Sequence, residues 1–207
     1  MTEATTPRSV GRRRALAACG LFALVAAAGF GTLYALHRGA SEAGLGIGGP
    51  FALVDGDGHT VTDADLHGRY ALIYFGYTYC PDVCPTTLAT LAQALGDLGP
   101  LAAKLRPVFI TVDPERDTPA AMKAYVAAFS PDLLGLTGSA AAITQAERAY
   151  RVYAAKRVTG PGAQDYTMDH SSILYLMGPD GGFRAVIRAD QNAAQMAAEL
   201  RRSLTGV

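Results

Sequence analysis

The chain has 207 residues, half of them hydrophobic and 17% charged, and its 18 basic and 18 acidic side chains give a formal net charge of zero. That length suits one compact domain with an appendage, and the apolar content excludes wholesale disorder. Balanced charge leaves no electrostatic footprint for nucleic acid, and three cysteines are too few to staple a disulfide scaffold.

Residues 1–14 are largely polar and carry Arg8, Arg12, Arg13 and Arg14, whereas nothing from Ala15 to Leu36 is charged. About 22 helical residues rise roughly 33 Å, enough for a hydrocarbon core of about 30 Å and longer than a signal-peptide core of roughly 7–15 residues. Residues 15–36 therefore read as an uncleaved transmembrane anchor. The arginines ahead of it outnumber Arg38 behind it, which leaves 1–14 as a cytoplasmic tail and exports the rest. An arginine-led anchor of this kind fits a bacterial inner membrane, with the domain facing the periplasm.

The leader has three other readings: a twin-arginine signal at Arg12-Arg13-Arg14, a lipoprotein site at Cys19, and cleavage near Ala35. Cys19 lacks a preceding apolar stretch and reads as a small membrane-buried residue. Residues 37–49, rich in Gly and small side chains, form a flexible tether, and residues 50–207 form the working domain.

Phe51–Val54 and His59–Thr62, joined by Asp55-Gly56-Asp57-Gly58, read as a hairpin. Tyr70–Tyr77 is continuously apolar, as in a strand covered on both faces. Leu88, Leu91, Ala92, Leu95 and Leu98 then mark a helix that ends at Gly96 and Gly99-Pro100. Arg106–Val112 is a second buried strand, followed by a turn and a helix over 120–129. A strand over 133–137, a helix over 140–150 and an extended piece over 151–158 come next.

A Gly-rich loop then runs to Met168-Asp169-His170, so that His170 opens the next strand. Strands over 171–177 and 183–188 pair around Gly178-Pro179-Asp180-Gly181-Gly182, and a helix over 192–204 closes the chain. The alternation fits an α/β sandwich of thioredoxin type.

Cys80-Pro81-Asp82-Val83-Cys84-Pro85 lies between the first buried strand and its helix, where open α/β sheets place reactive groups. Pro85 suits a first helical position. That would put Cys84 at or near the N-cap and make it the more acidic thiol. The spacing serves either a disulfide or two soft sulfur ligands for one metal, since thiolates select cuprous copper or zinc. An inert structural disulfide is the plainer use of the pair.

Three blocks together resemble the Sco/SenC family of copper chaperones. They are Tyr74-Phe75-Gly76-Tyr77-Thr78-Tyr79-Cys80-Pro81-Asp82-Val83-Cys84-Pro85, Val112-Asp113-Pro114-Glu115-Arg116-Asp117-Thr118-Pro119, and Asp169-His170-Ser171 followed by Tyr175-Leu176-Met177-Gly178-Pro179-Asp180-Gly181. The likeness spans about residues 50 to 204 and includes the single anchor. It implies a thioredoxin fold in which Cys80, Cys84 and His170 bind one copper ion, cuprous or cupric. It also implies a role at the copper A centre of cytochrome c oxidase, either delivering copper or keeping the cysteines of the oxidase subunit reduced. A periplasmic copper donor or thiol reductant would be a further partner.

Apart from the likeness, His170 ends the Gly-rich loop on the half of the fold that faces the cysteine turn, and two nearby thiolates favour a ligand role for it. His59, His67 and His37 read as solvated. Met168 reads as packing, with a soft axial ligand as the alternative. Asp113, Glu115, Arg116 and Asp117 read as a turn in which Asp117 or Thr118 caps the next helix, with an acidic rim that guides a partner or tunes the site as the second reading.

Three other functions compete. A metal-independent thiol-disulfide oxidoreductase would not need His170. A peroxiredoxin-like peroxidase is disfavoured by Pro81, which stands where those enzymes resemble one another in carrying threonine. An adaptor with an inert disulfide would bind no copper.

Overall fold

The computed structural model describes residues 46–206. The predicted tail, the span 15–36, most of the tether, Cys19 and His37 lie outside the described residues. Among the described residues, no helix is long and apolar enough to cross a membrane.

The predicted hairpin forms from β1 (Ala52–Val54) and β2 (Thr60–Thr62), with Ala52 opposite Thr62. The Asp55 carboxylate accepts the N–H groups of Asp57 and His59, each at 2.9 Å, and so fixes the turn. A five-stranded sheet carries the core in the order β5-β4-β3-β8-β9. Its strands are β3 (Tyr70–Gly76), β4 (Leu105–Thr111), β5 (Leu134–Leu136), β8 (Ile173–Met177) and β9 (Phe183–Arg188). The first three run parallel to one another, while β8 is antiparallel to both β3 and β9.

Central strand β3 is buried from Ala71 to Gly76, which is why its sequence shows no alternation. Helix α1 (Val83–Leu98) connects β3 to β4 and buries Cys84, Thr87, Leu88, Leu91, Ala94 and Leu98, a stripe at three- and four-residue spacing. Removing one such leucine side chain costs about 2–5 kcal/mol. Helix α4 (Ala193–Thr205) follows β9, packs beside α1, and is capped reciprocally by Asn192 and Gln195. The βαβ and ββα halves meeting at β3 and β8 make the thioredoxin-type sandwich expected from the sequence. Helices α2 (Pro119–Ala127) and α3 (Ala140–Tyr150) contact β5 and β1 respectively.

One element departs from expectation. The Gly-rich loop contains a strand, so that β6 (Ala154–Val158) and β7 (Tyr166–His170) pair as a separate two-stranded ribbon. His170 therefore ends β7 instead of opening the following strand. Charged and polar side chains dominate the ribbon, which hides its pairing signal, and the turn between the strands closes on Asp165, whose carboxylate accepts the Gly162 N–H at 2.9 Å.

Candidate metal centre

The site is built at the end of β3. Past Gly76 the chain turns through Tyr77, Thr78 and Tyr79 to Cys80, then enters α1 with Asp82 at the N-cap and Val83 as the first helical residue. Cys84 thus lies inside the first turn, and Pro85 is two residues deeper than expected. The Cys84 side chain is fully buried and Cys80 is half-buried; both are free thiols.

Gly76 permits this burial. A Cβ there would stand 2.8 Å from the Cys84 sulfur and 2.7 Å from the Phe109 ring, both closer than contact allows. A lone glycine in an apolar strand signals close approach, so this residue was detectable in the sequence.

The expected order of thiol acidity is reversed. The main-chain N–H of Cys84, at the start of α1, donates to the Cys80 sulfur at 3.3 Å, so the helix terminus serves Cys80. The hydrogen bond from the Cys84 side chain is the largest influence on Cys80 and brings its thiol down to about 5. The Cys84 thiol is pushed strongly up, first by that same partner and then by burial. A reduced, metal-free pair therefore carries its negative charge on Cys80.

The structure brings His170 to this pair. Its Nε2 lies 3.4 Å from the Cys84 sulfur, and its Nδ1 lies 3.1 Å from the Ser171 carbonyl oxygen. A carbonyl only accepts, so Nδ1 carries the proton and the lone pair sits on Nε2, toward the sulfur. The rings of Tyr74 and Tyr77 meet the imidazole edge-on, at 6.1 and 5.9 Å between centroids. The Tyr74 hydroxyl donates to the Cys84 sulfur at 3.8 Å. Burial raises the pKa of both tyrosine hydroxyls, keeping them neutral donors.

The donor atoms of Cys80, Cys84 and His170 all lie within 4.8 Å of one another. With bonds of roughly 2.0–2.3 Å to sulfur and imidazole nitrogen, one ion can engage all three after small side-chain movements. Two soft sulfurs and an imidazole suit copper or zinc and not magnesium or calcium. Met168 lines the same open hollow as Cys80 and His170. His59 and His67 are exposed and take no part.

The Asp113–Asp117 segment is not an acidic rim. Asp113 and Asp117 are buried, and only Glu115 points outward, paired with Lys156 at 2.7 Å. Helix α2 is capped by Thr118, whose hydroxyl accepts the Ala121 N–H at 3.3 Å. Asp117 instead accepts from the Thr78 N–H at 3.0 Å, the Thr78 hydroxyl at 2.6 Å and the Thr111 hydroxyl at 2.6 Å. It thereby holds the cysteine loop from below. Thr78 and Tyr166 have no sequence signal of their own, since their partners are distant in the chain.

The SCO1/SenC family model matches residues 39–205. The bovine (Bos taurus) protein SCO2 homolog, mitochondrial, is 46% identical over 160 residues, covering 75% of this chain and 59% of that protein. The chain spans less than two thirds of the length of the mitochondrial relatives it matches. Among solved structures, Bradyrhizobium japonicum ScoI with copper bound is 48% identical with a TM-score of 0.69, over 76% of this chain and 99% of that one. BsSco, described as a member of the Sco family of cytochrome c oxidase assembly proteins with a disulfide switch, is 25% identical with a TM-score of 0.58, over 76% of this chain and 92% of that one.

Proposed function

The chain belongs to the SCO1/SenC family, and from that premise we propose that it is a membrane-anchored copper chaperone serving the copper A site of cytochrome c oxidase. Cys80, Cys84 and His170 hold one copper ion, cuprous or cupric. Residues 15–36 anchor the protein in a bacterial inner membrane, and 37–49 tether the domain on the periplasmic side.

The observation that carries this reading is the arrangement of His170: with Nδ1 committed to the Ser171 carbonyl, Nε2 is presented beside the Cys84 sulfur. An imidazole so oriented is a ligand in waiting. The relatives support the assignment, one structure being copper-bound and another a member of a family of oxidase assembly proteins. The copper-binding reading thus accounts for all three side chains.

A specific observation also favours metal-independent thiol-disulfide exchange. Cys80 is half-exposed and held down to about 5, as befits an attacking thiolate. In such a reaction its sulfur attacks a partner disulfide, forming a mixed disulfide and releasing one partner thiolate. The Cys84 thiol then loses its proton and attacks Cys80, leaving a Cys80–Cys84 disulfide and a reduced partner. His170 has no part in that exchange.

The full chain in detergent, reduced and loaded anaerobically with copper, separates the readings. At equimolar copper, wild type is expected to hold about one copper per chain and to show sulfur-to-copper absorption in the cupric form, both lost in Cys84→Ser and His170→Ala, which bind only weakly and at excess copper. A wild type that binds no copper yet cycles readily with a dithiol would establish the thiol reductase.

A further inference from the structure

The ribbon that carries His170 makes no main-chain ladder with the central sheet, so something else must fix the imidazole over the cysteines. The buried residue of β7 is Tyr166, at the far end of the strand from His170. Its hydroxyl donates to Asp113 Oδ1 at 2.7 Å. Its carbonyl accepts from Arg116 Nη1 at 3.0 Å, and the guanidinium lies 3.7 Å over its ring. Arg116 Nε donates to the other oxygen of Asp113 at 2.5 Å, and the two side chains are only 5% and 3% exposed. Arg116 therefore grips Tyr166 by ring and main chain at once, with its charge balanced beneath.

Residues 166, 168 and 170 share one face of β7, because side chains alternate along a strand. Fixing Tyr166 by ring, hydroxyl and carbonyl thus fixes the rotation of the strand that points His170. The same short segment holds the cysteine loop through Asp117 and Thr78. Both halves of the metal centre are therefore referenced to one turn.

We propose that Arg116 is a positioning residue for the metal centre, setting through Tyr166 where His170 stands relative to Cys84. The inference rests on the reading of Cys80, Cys84 and His170 as copper ligands. Lysine cannot substitute, since it lacks both the planar stack and the fork that reaches Asp113 and the Tyr166 carbonyl together.

The test uses the full chain in detergent as wild type, Arg116→Lys, Tyr166→Phe, His170→Ala and the Arg116→Lys, His170→Ala double variant. In the metal-free protein, amide hydrogen exchange at 166–170 is expected to quicken by about tenfold or more in Arg116→Lys, and by less in Tyr166→Phe, with β3 and β8 unchanged. Copper affinity is expected to fall roughly 10- to 100-fold in Arg116→Lys, as for other residues that orient a metal ligand, and the double variant should bind no more weakly than His170→Ala alone.

Unchanged exchange at 166–170, or penalties of the two substitutions that multiply in the double variant, would overturn the proposal. Loosening of β3 and β8 to the same degree would do so too, by reducing Arg116 to a general stabiliser. A wild type that takes no copper would sink the copper reading, while the exchange arm still decides whether Arg116 positions the ribbon.

Discussion

The sulfur of Cys84 lies 3.4 Å from Nε2 of His170 although 86 positions separate them, and this sulfur is the one kept protonated. Cys80 carries the charge because the Cys84 side chain, and then the Cys84 main-chain N–H, donate to it. In the reduced, metal-free protein, alkylation at Cys80 should therefore show a pH midpoint near 5, with Cys84 unmodified at neutral pH. Cys84→Ala should move that midpoint up toward the ordinary thiol range, since it removes the largest influence. Because the folded value is lowered, the stability this group contributes is complete only above the unfolded value and is lost as pH falls through about 5. Equal labelling of both cysteines with one midpoint above about 8 would refute the assignment.

Much of this site was legible in the sequence, for reasons that also show where legibility stopped. Cys80, Cys84 and the apolar strand before them are local, so spacing and periodicity reveal them. The acidity order runs against expectation because Pro85 suggests a helix start, whereas the helix begins at Val83 and sends the Cys84 amide to Cys80. Strand β7 reads as loop in the sequence because only Tyr166 of its residues is buried, leaving no alternating apolar face. The Asp113–Asp117 segment reads as a turn that caps the next helix because its partners, Thr78 and Tyr166, are far away in the chain.

Gly76→Ala tests the close packing of strand and thiol. The added methyl would stand 2.7 Å from the Phe109 ring and 2.8 Å from the Cys84 sulfur, so one of them must move. Overpacking should cost about 1–3 kcal/mol in urea unfolding. Displacement of the sulfur should also weaken copper binding and alter the cupric spectrum. Wild-type stability and spectrum together would show that the site has slack that the structure does not indicate.

Exposed large hydrophobic side chains lie beside the three candidate ligands: Tyr79 next to Cys80, Val83 next to Cys84, and Tyr153, whose N–H donates to the Ser171 hydroxyl at 3.1 Å. An exposed apolar set at a metal centre suits docking of an acceptor. Val83→Ser with Tyr153→Ser is expected to leave copper affinity unchanged and stability within about 0.5 kcal/mol per site. Affinity for a soluble copper A domain, measured by titration, should fall about fivefold or more. An unaltered affinity would place docking elsewhere.

Asp117 offers the sharpest separation of hydrogen bonding from charge. Burial raises its pKa above the ordinary carboxylate value of 3.8, despite the donors from Thr111 and Thr78. Asparagine can keep every contact, its carbonyl accepting the Thr78 N–H and the Thr111 hydroxyl while its amide donates to a turned Thr78 hydroxyl. Alanine leaves the Thr78 N–H without its acceptor and should cost about 1–3 kcal/mol, loosening the loop ahead of Cys80. For a carboxylate raised in the folded state, stability is lost as pH climbs from the unfolded value through the folded one, since folding then holds a buried charge. Asp117→Asn has no such loss, so urea unfolding should show its stability relative to wild type improving as pH rises above about 4. A difference that moves the other way with pH would mean that the three donors outweigh burial, and that the turn holds the cysteine loop by charge.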